Sequence, residues 1–268
     1  MQEMMSLTFM QNAFLGGILV SVACGVVGSL VVINRMTFIA GGVAHGAYGG
    51  IGLAFYFGFA PLLGASVFSI FLALLVAFIT LKDKDRFDSV IGAIWAFGMA
   101  LGIILIDLTP GYNVDLMSYL FGSILAINSQ TLTYIFSSDV AFILLVLLFY
   151  RQFSAISFDS EFAKLRGVNS TLFYYTLVVM MAFCVVATIQ VVGLILVIAL
   201  MTIPPYIAEI FSKKLGSMMF FSSLISAIFC TLGLILSYKF NLTSGASIII
   251  VASVVFFTVV ALKRFRRH

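Results

Sequence analysis

The sequence predicts an all-α integral membrane protein, a polytopic helical bundle of about eight or nine transmembrane helices with a re-entrant or half-helix and one short cytoplasmic helix. Three observations predict it. Hydrophobic residues make up 63% of the chain and charged residues 9%, and the mean hydropathy is +1.22. So little charge cannot cover the surface of a water-soluble domain of this length. Apolar runs about as long as a bilayer is thick recur along the chain. Runs such as IIIVASVVFF do not alternate as the strands of a barrel would.

The expected crossings, in chain order, are 12–33, 39–58, 62–81, 89–106, 134–150, 172–189, 191–210, 217–238 and 246–262. Between the fourth and fifth, residues 115–127 (DLMSYLFGSILAI) are short and open on a carboxylate. They read as a surface or re-entrant half-helix, since broken backbone at membrane depth needs protein or water around it. Nine crossings place 13 of the 14 basic residues on one side, with Lys239 alone opposite. That bias makes the side carrying Arg35, Lys164, Lys213 and the basic tail cytoplasmic. The basic balance thus belongs to topology, and no basic patch with interleaved aromatics points to nucleic acid. No soluble insert divides the spans, so residues 1–268 read as a single transmembrane domain. Cys24, Cys184 and Cys230 have no metal-ligand spacing and read as small apolar packing residues. Glu3 and no basic residue precede the first span, which is therefore expected to be permanent.

The second crossing opens FIAGGVAHGAYGGIG at residues 38–52. On a helix Gly41, His45, Gly49 and Gly52 share a face, with Gly42, Gly46 and Gly50 beside it. Glycine every fourth residue lets helix backbones approach each other, so this side is expected to face the bundle interior. Ile39, Val43, Ala47, Ile51 and Phe55 are expected to face lipid. An ionisable ring inside a span marks a pathway or a site, and imidazole ligates zinc, manganese and iron. The alternative is an interhelical hydrogen bond to a carbonyl. With no second His, Cys or carboxylate one turn away, a metal site on this helix alone is excluded.

Asp107, Asp115 and Asp139 gather around the outer loop 107–133 and read as loop solvation, or as an acidic vestibule that draws in cations. Gln190 is expected at the turn between two spans and Glu209 at the cytoplasmic end of one. Pro204 and Pro205 are expected to end or bend their helix. Residues 158–167, FDSEFAKLRG, carry every signal of a short, self-contained helix. Asp159 is the N-cap, Glu161 lies in the first turn, Lys164 and Arg166 in the last, and Gly167 at C′. Phe158, Phe162 and Leu165 form a narrow apolar stripe, suited to docking into another protein or to lying on lipid headgroups. The chain contains no phosphate-cradling G-x-x-x-x-G-K-[ST] loop, so any ATPase is a separate chain.

GGVAHGAYGGIGL (41–53), IGAIWAFGMALGIIL (91–105), DLMSYLFGSIL (115–125), FDSEFAKLRGV (158–168) and QVVGLILVIALMTIP (190–204) together resemble the membrane permeases of bacterial ABC importers for zinc, manganese and iron. The resemblance implies a homodimer in the cytoplasmic (inner) membrane. It also implies two cytoplasmic ATP-binding subunits and an extracytoplasmic metal-binding protein that delivers the ion. It makes 158–167 the coupling helix, with Phe158, Asp159, Glu161, Phe162, Ala163, Leu165 and Gly167 engaging the ATPase, and places His45 on the metal pathway. Gly41, Gly42, Gly46, Gly49 and Gly50 then serve helix packing. No catalytic residue and no tightly bound cofactor is implied, and the divalent metal ion is the cargo. Many members carry an aspartate three residues before the histidine, where this chain has Gly42. Three other readings remain open. A permease for a metal chelate or vitamin would need a wider path. An ion-coupled carrier would need intramembrane carboxylates and broken helices in paired halves. A membrane enzyme would need a cluster of ligands at one depth.

Overall fold

The computed structural model describes residues 7–82, 87–110, 122, 124 and 127–265. In chain order the helices are α1 (Thr8–Ile33), α2 (Thr37–Phe57), α3 (Pro61–Lys82), α4 (Phe87–Asp107), α5 (Ser129–Leu148), α6 (Tyr150–Phe158), α7 (Ser160–Leu165), α8 (Ser170–Phe211), α9 (Leu215–Phe240) and α10 (Ser244–Phe265). No strand occurs among the described residues. Nine stretches among them are long and apolar enough to cross a membrane, and they coincide with the nine predicted crossings to within a few residues. The 115–127 half-helix and Asp115 fall, apart from Gly122, Ile124 and Ile127, outside the described residues. Lys84, Arg86, Arg266, Arg267 and the side chain of Gln190 also lie outside them.

Two of the nine crossings belong to α8. A straight helix of its 42 residues would be about 63 Å long, twice the apolar thickness of a bilayer. The helix is broken at Gly193, with φ 76° and ψ 165°. Only glycine adopts that conformation readily, so the turn expected at Gln190 is met by a break three residues later. A Cβ on Gly122, itself at φ 67°, would meet Gly193 Cα at 2.9 Å. The two glycines therefore pack backbone against backbone. Of the two outcomes expected at Pro204 and Pro205, an end or a bend, the end does not occur: α8 continues to Phe211 with both prolines buried. Freed carbonyls are tolerated within a span where neighbouring groups cover them. Met201 O, which Pro205 cannot serve, lies 2.7 Å from where a Cβ on Gly28 would stand.

The chain divides into two compact units. One comprises Met1–Val32, Met117–Leu147 and Ala187–His268, the other Ile33–Leu116 and Leu148–Val186. In the first, α1 presents small residues to its neighbours. A Cβ on Gly25 would stand 2.5 Å from Ser223 N, and one on Gly17 would stand 3.4 Å from Cys230 Cβ. All three cysteines are buried. Helix α5 carries a correction. Asn128 caps it, accepting from Thr131 N at 2.8 Å, so the helix begins five residues earlier than the predicted crossing. Asp139 is then in mid-span and 3% exposed. Neither of its carboxylate oxygens has a hydrogen-bond partner. It belongs to no outer loop.

In the second unit α2 is flanked by α3 and α4, and glycine makes the contact. A Cβ on Gly50 would lie 2.7 Å from the Gly64 carbonyl carbon, one on Gly52 2.7 Å from Gly102 Cα, and one on Gly98 2.6 Å from Gly46 Cα. No side chain separates these backbones. The branched flank does not face lipid as expected, since Ile39, Val43, Ala47 and Ile51 are all buried. Burial on every side, and not apolarity alone, shows that protein surrounds this helix.

Three consequences are measurable as melting temperature in detergent. Gly52→Ala forces α2 and α4 apart and lowers stability by about 1–3 kcal/mol. Gly41→Ala, whose Cβ meets nothing within 4 Å, leaves stability unchanged or raises it by up to about 1 kcal/mol through helix propensity. Asp139→Leu removes an unpartnered buried carboxylate and raises the melting temperature, by at least about 1 kcal/mol of stability.

Candidate functional site

Helix α2 holds His45 in a setting that its neighbours define closely. From Ile39 to Gly52 every residue is buried except His45, which is half-buried. Its Nδ1–H donates to the Gly41 carbonyl oxygen at 2.8 Å. A carbonyl only accepts, so in the neutral ring Nδ1 carries the proton and Nε2 carries the lone pair. The bond runs one turn back along the same helix and is not the interhelical bond weighed above. On α4 the indole of Trp95 stacks on the imidazole, with ring centroids 3.8 Å apart and planes inclined by 29°. Trp95 Nε1–H in turn donates to Met99 Sδ at 3.2 Å. Sequence reasoning missed Trp95, although the chain contains only one tryptophan and it lies in IGAIWAFGMALGIIL.

The glycines around His45 take different roles. Gly46, Gly49, Gly50 and Gly52 receive Leu72, Phe68, Gly64 and Gly102 respectively, whereas Gly41 opens onto space. At Gly42 the Ile91 side chain occupies the position a Cβ would need, so that position has no room for a carboxylate as packed. No group of three or more His, Cys, Asp or Glu side chains that could hold a metal occurs among the described residues. One imidazole with an available nitrogen can bind a divalent ion weakly and release it. It cannot trap the ion as a closed tetrahedral set would.

The second feature lies in the same compact unit. Helix α7 is capped at both ends. Asp159 accepts from Glu161 N at 3.1 Å and from Phe162 N at 2.9 Å. Gly167, at φ 82°, closes a Schellman turn in which Val168 N donates to Ala163 O and Gly167 N to Lys164 O, each at 3.0 Å. The expected stripe projects outward: Phe158 is 68%, Phe162 52% and Leu165 86% exposed, while Ala163 is 1% exposed and turned inward. Arg166 lies over the Phe162 ring at 5.1 Å. Helix α6, unforeseen in the sequence, anchors this projection through the fully buried Phe153, whose ring meets Phe173 edge-on at 5.5 Å.

A cavity of about 600 Å³ lies between α7 and the N-terminal end of α2. Ser160, Glu161 and Lys164 of α7 line it together with Arg35, Met36 and Ile39 at the start of α2. Thr80 and Tyr174, also in its wall, are hydrogen-bonded at 3.2 Å. The helix bearing His45 and the projecting helix thus border one space.

The family model described as the ABC 3 transport family matches residues 6–263. The chain is 50% identical over 264 residues to the uncharacterized membrane protein slr2045 of Synechocystis sp., covering 98% of this chain and 94% of that protein. It is 32% identical over 257 residues to the manganese transport system membrane protein MntC of Listeria monocytogenes, covering 96% and 91%. The solved structure of PsaBC from Streptococcus pneumoniae in complex with Fab superposes with a TM-score of 0.85 at 32% identity, over 96% of this chain and 92% of that one. With nine apolar crossings, a broken α8 and a doubly capped projecting helix in a chain matched almost end to end, this protein belongs to the ABC 3 transport family.

Proposed function

We propose that the chain is the permease subunit of an ATP-driven importer that carries a divalent transition-metal ion inward across the bacterial cytoplasmic membrane by alternating access. Manganese is the first candidate cargo, since relatives from Listeria and Streptococcus are named as manganese systems. Zinc and iron are the other two that an imidazole accepts. The ATPase is a separate chain, an extracytoplasmic binding protein delivers the ion, and a second copy of the permease completes the pathway.

The observation that carries this reading is the outward apolar stripe of α7. Phe162 and Leu165 stand exposed on a short helix that both caps hold in shape, and Phe158, at the end of α6, continues the exposed stripe. A helix this short does not persist alone, so its rigidity is local design for transmitting force. Docked into an ATPase, Phe158, Phe162 and Leu165 would bury apolar area at a cytoplasmic interface. Displacement of α7 would bear on the start of α2 across their shared cavity. Because α2, α3 and α4 touch through backbone, they move together as a block, and His45 moves with them. The ion rests on Nε2 only transiently, as a conducting site requires.

Reconstituted with its ATPase and binding protein, the wild type should take up manganese on addition of ATP. Leu165→Asp should abolish ATPase co-purification and uptake, and Phe162→Ala should lower uptake by about tenfold, the effect of losing one anchor residue. His45→Ala should reduce uptake by about 10–100-fold with co-purification intact. Normal uptake in Leu165→Asp contradicts the coupling role, and normal uptake in His45→Ala removes His45 from the route.

A further inference from the structure

The stack of Trp95 on His45 carries an inference that rests on the reading of His45 as a station for the ion. We propose that Trp95 is a positioning residue for the transported cation: its indole face holds the imidazole so that only Nε2 is presented, and stabilises the positive charge that the ring takes up when the ion binds there.

Four observations support it. The spacing of α2 and α4 is fixed by backbone contact, with Gly98 against Gly46 and Gly52 against Gly102, so the indole and imidazole are brought to stacking distance by the main chain. The indole is oriented at its far edge by the Nε1–H bond to Met99 Sδ at 3.2 Å, which turns its face to the ring at 3.8 Å. The imidazole is tied at one edge, Nδ1–H to Gly41 O. Clamped by a face and an edge, the ring keeps Nε2 as its ligating nitrogen. Finally, the preceding turn carries Gly41 and Gly42, so no carboxylate there offsets the incoming charge.

A π face meets that need differently from a carboxylate. A divalent ion on Nε2 draws electron density from the imidazole and leaves it partly cationic, and tryptophan is the aromatic side chain that attracts a cation most strongly. The indole contributes no ligand atom, so it favours the loaded ring without closing the coordination shell. The ion is stabilised and stays releasable.

The test uses the position of the one tryptophan in the chain. Manganese chloride is titrated into the purified full chain while tryptophan emission is followed. Saturable quenching is expected in the wild type, and its loss in His45→Ala. In parallel, uptake by the reconstituted complex is measured against manganese concentration for Trp95→Phe and Trp95→Leu. Trp95→Leu, which removes the face, should raise KM by about tenfold, equivalent to about 1.4 kcal/mol. Trp95→Phe should recover most of the loss. If His45→Ala impairs uptake but Trp95→Leu leaves KM unchanged, or emission ignores manganese, the role of Trp95 is overturned while that of His45 stands. If His45→Ala transports normally, the underlying reading falls first. Should Trp95→Leu fail to fold, the emission titrations of wild type and His45→Ala decide the matter alone.

Discussion

Contact between helix backbones with no side chain between them is the constraint on which the rest depends. In a bilayer the lipid tails are as apolar as leucine, so burying leucine against leucine gives helices little reason to associate. Close packing supplies the reason, and glycine permits the closest. Gly46, Gly50 and Gly52 bring α2 against α3 and α4. That contact fixes the distance across which Trp95 reaches His45. Where the seam relaxes, at Gly41, open space remains beside the imidazole.

The chain uses glycine for a second purpose at Gly193, where a conformation closed to other residues breaks a 42-residue helix into two crossings. Gly122, from the motif that precedes α5, packs on this break. Gly122 of DLMSYLFGSIL thus meets Gly193 of QVVGLILVIALMTIP, two of the passages on which the family resemblance rested. At the cytoplasmic end Gly167 completes α7 in the left-handed conformation. Helix packing, helix breaking and helix termination therefore all depend on the residue that has no side chain.

What the sequence disclosed follows the range of the interaction. The crossings were legible because each is a local run of apolar residues of bilayer length. The caps of α7 were legible because Asp159, Gly167 and the bonds they make lie within ten residues. What depends on neighbours distant in sequence was not. The burial of Ile39, Val43 and Ile51 reflects what surrounds α2, and hydropathy reads the same whether lipid or protein lies there. The depth of Asp139 was misjudged because Asn128 caps α5 earlier than the apolar run suggested. Pro204 and Pro205 read as a stop because the groups that cover the freed carbonyls, Gly28 among them, come from elsewhere in the chain. The stack on His45 joins residues fifty positions apart in sequence, and only the glycine seam, itself visible in the sequence, pointed to α2 having a close partner.

The account therefore centres on an imidazole turned toward an aqueous cation route and held there by a glycine-packed block. The most direct measurement places a cysteine at position 45, against a background in which the three native cysteines are buried, and follows its modification by a membrane-impermeant thiol reagent in the assembled transporter. The account predicts modification from the aqueous side and its slowing by manganese. Modification by a lipid-soluble reagent alone, or a rate indifferent to manganese, would contradict it.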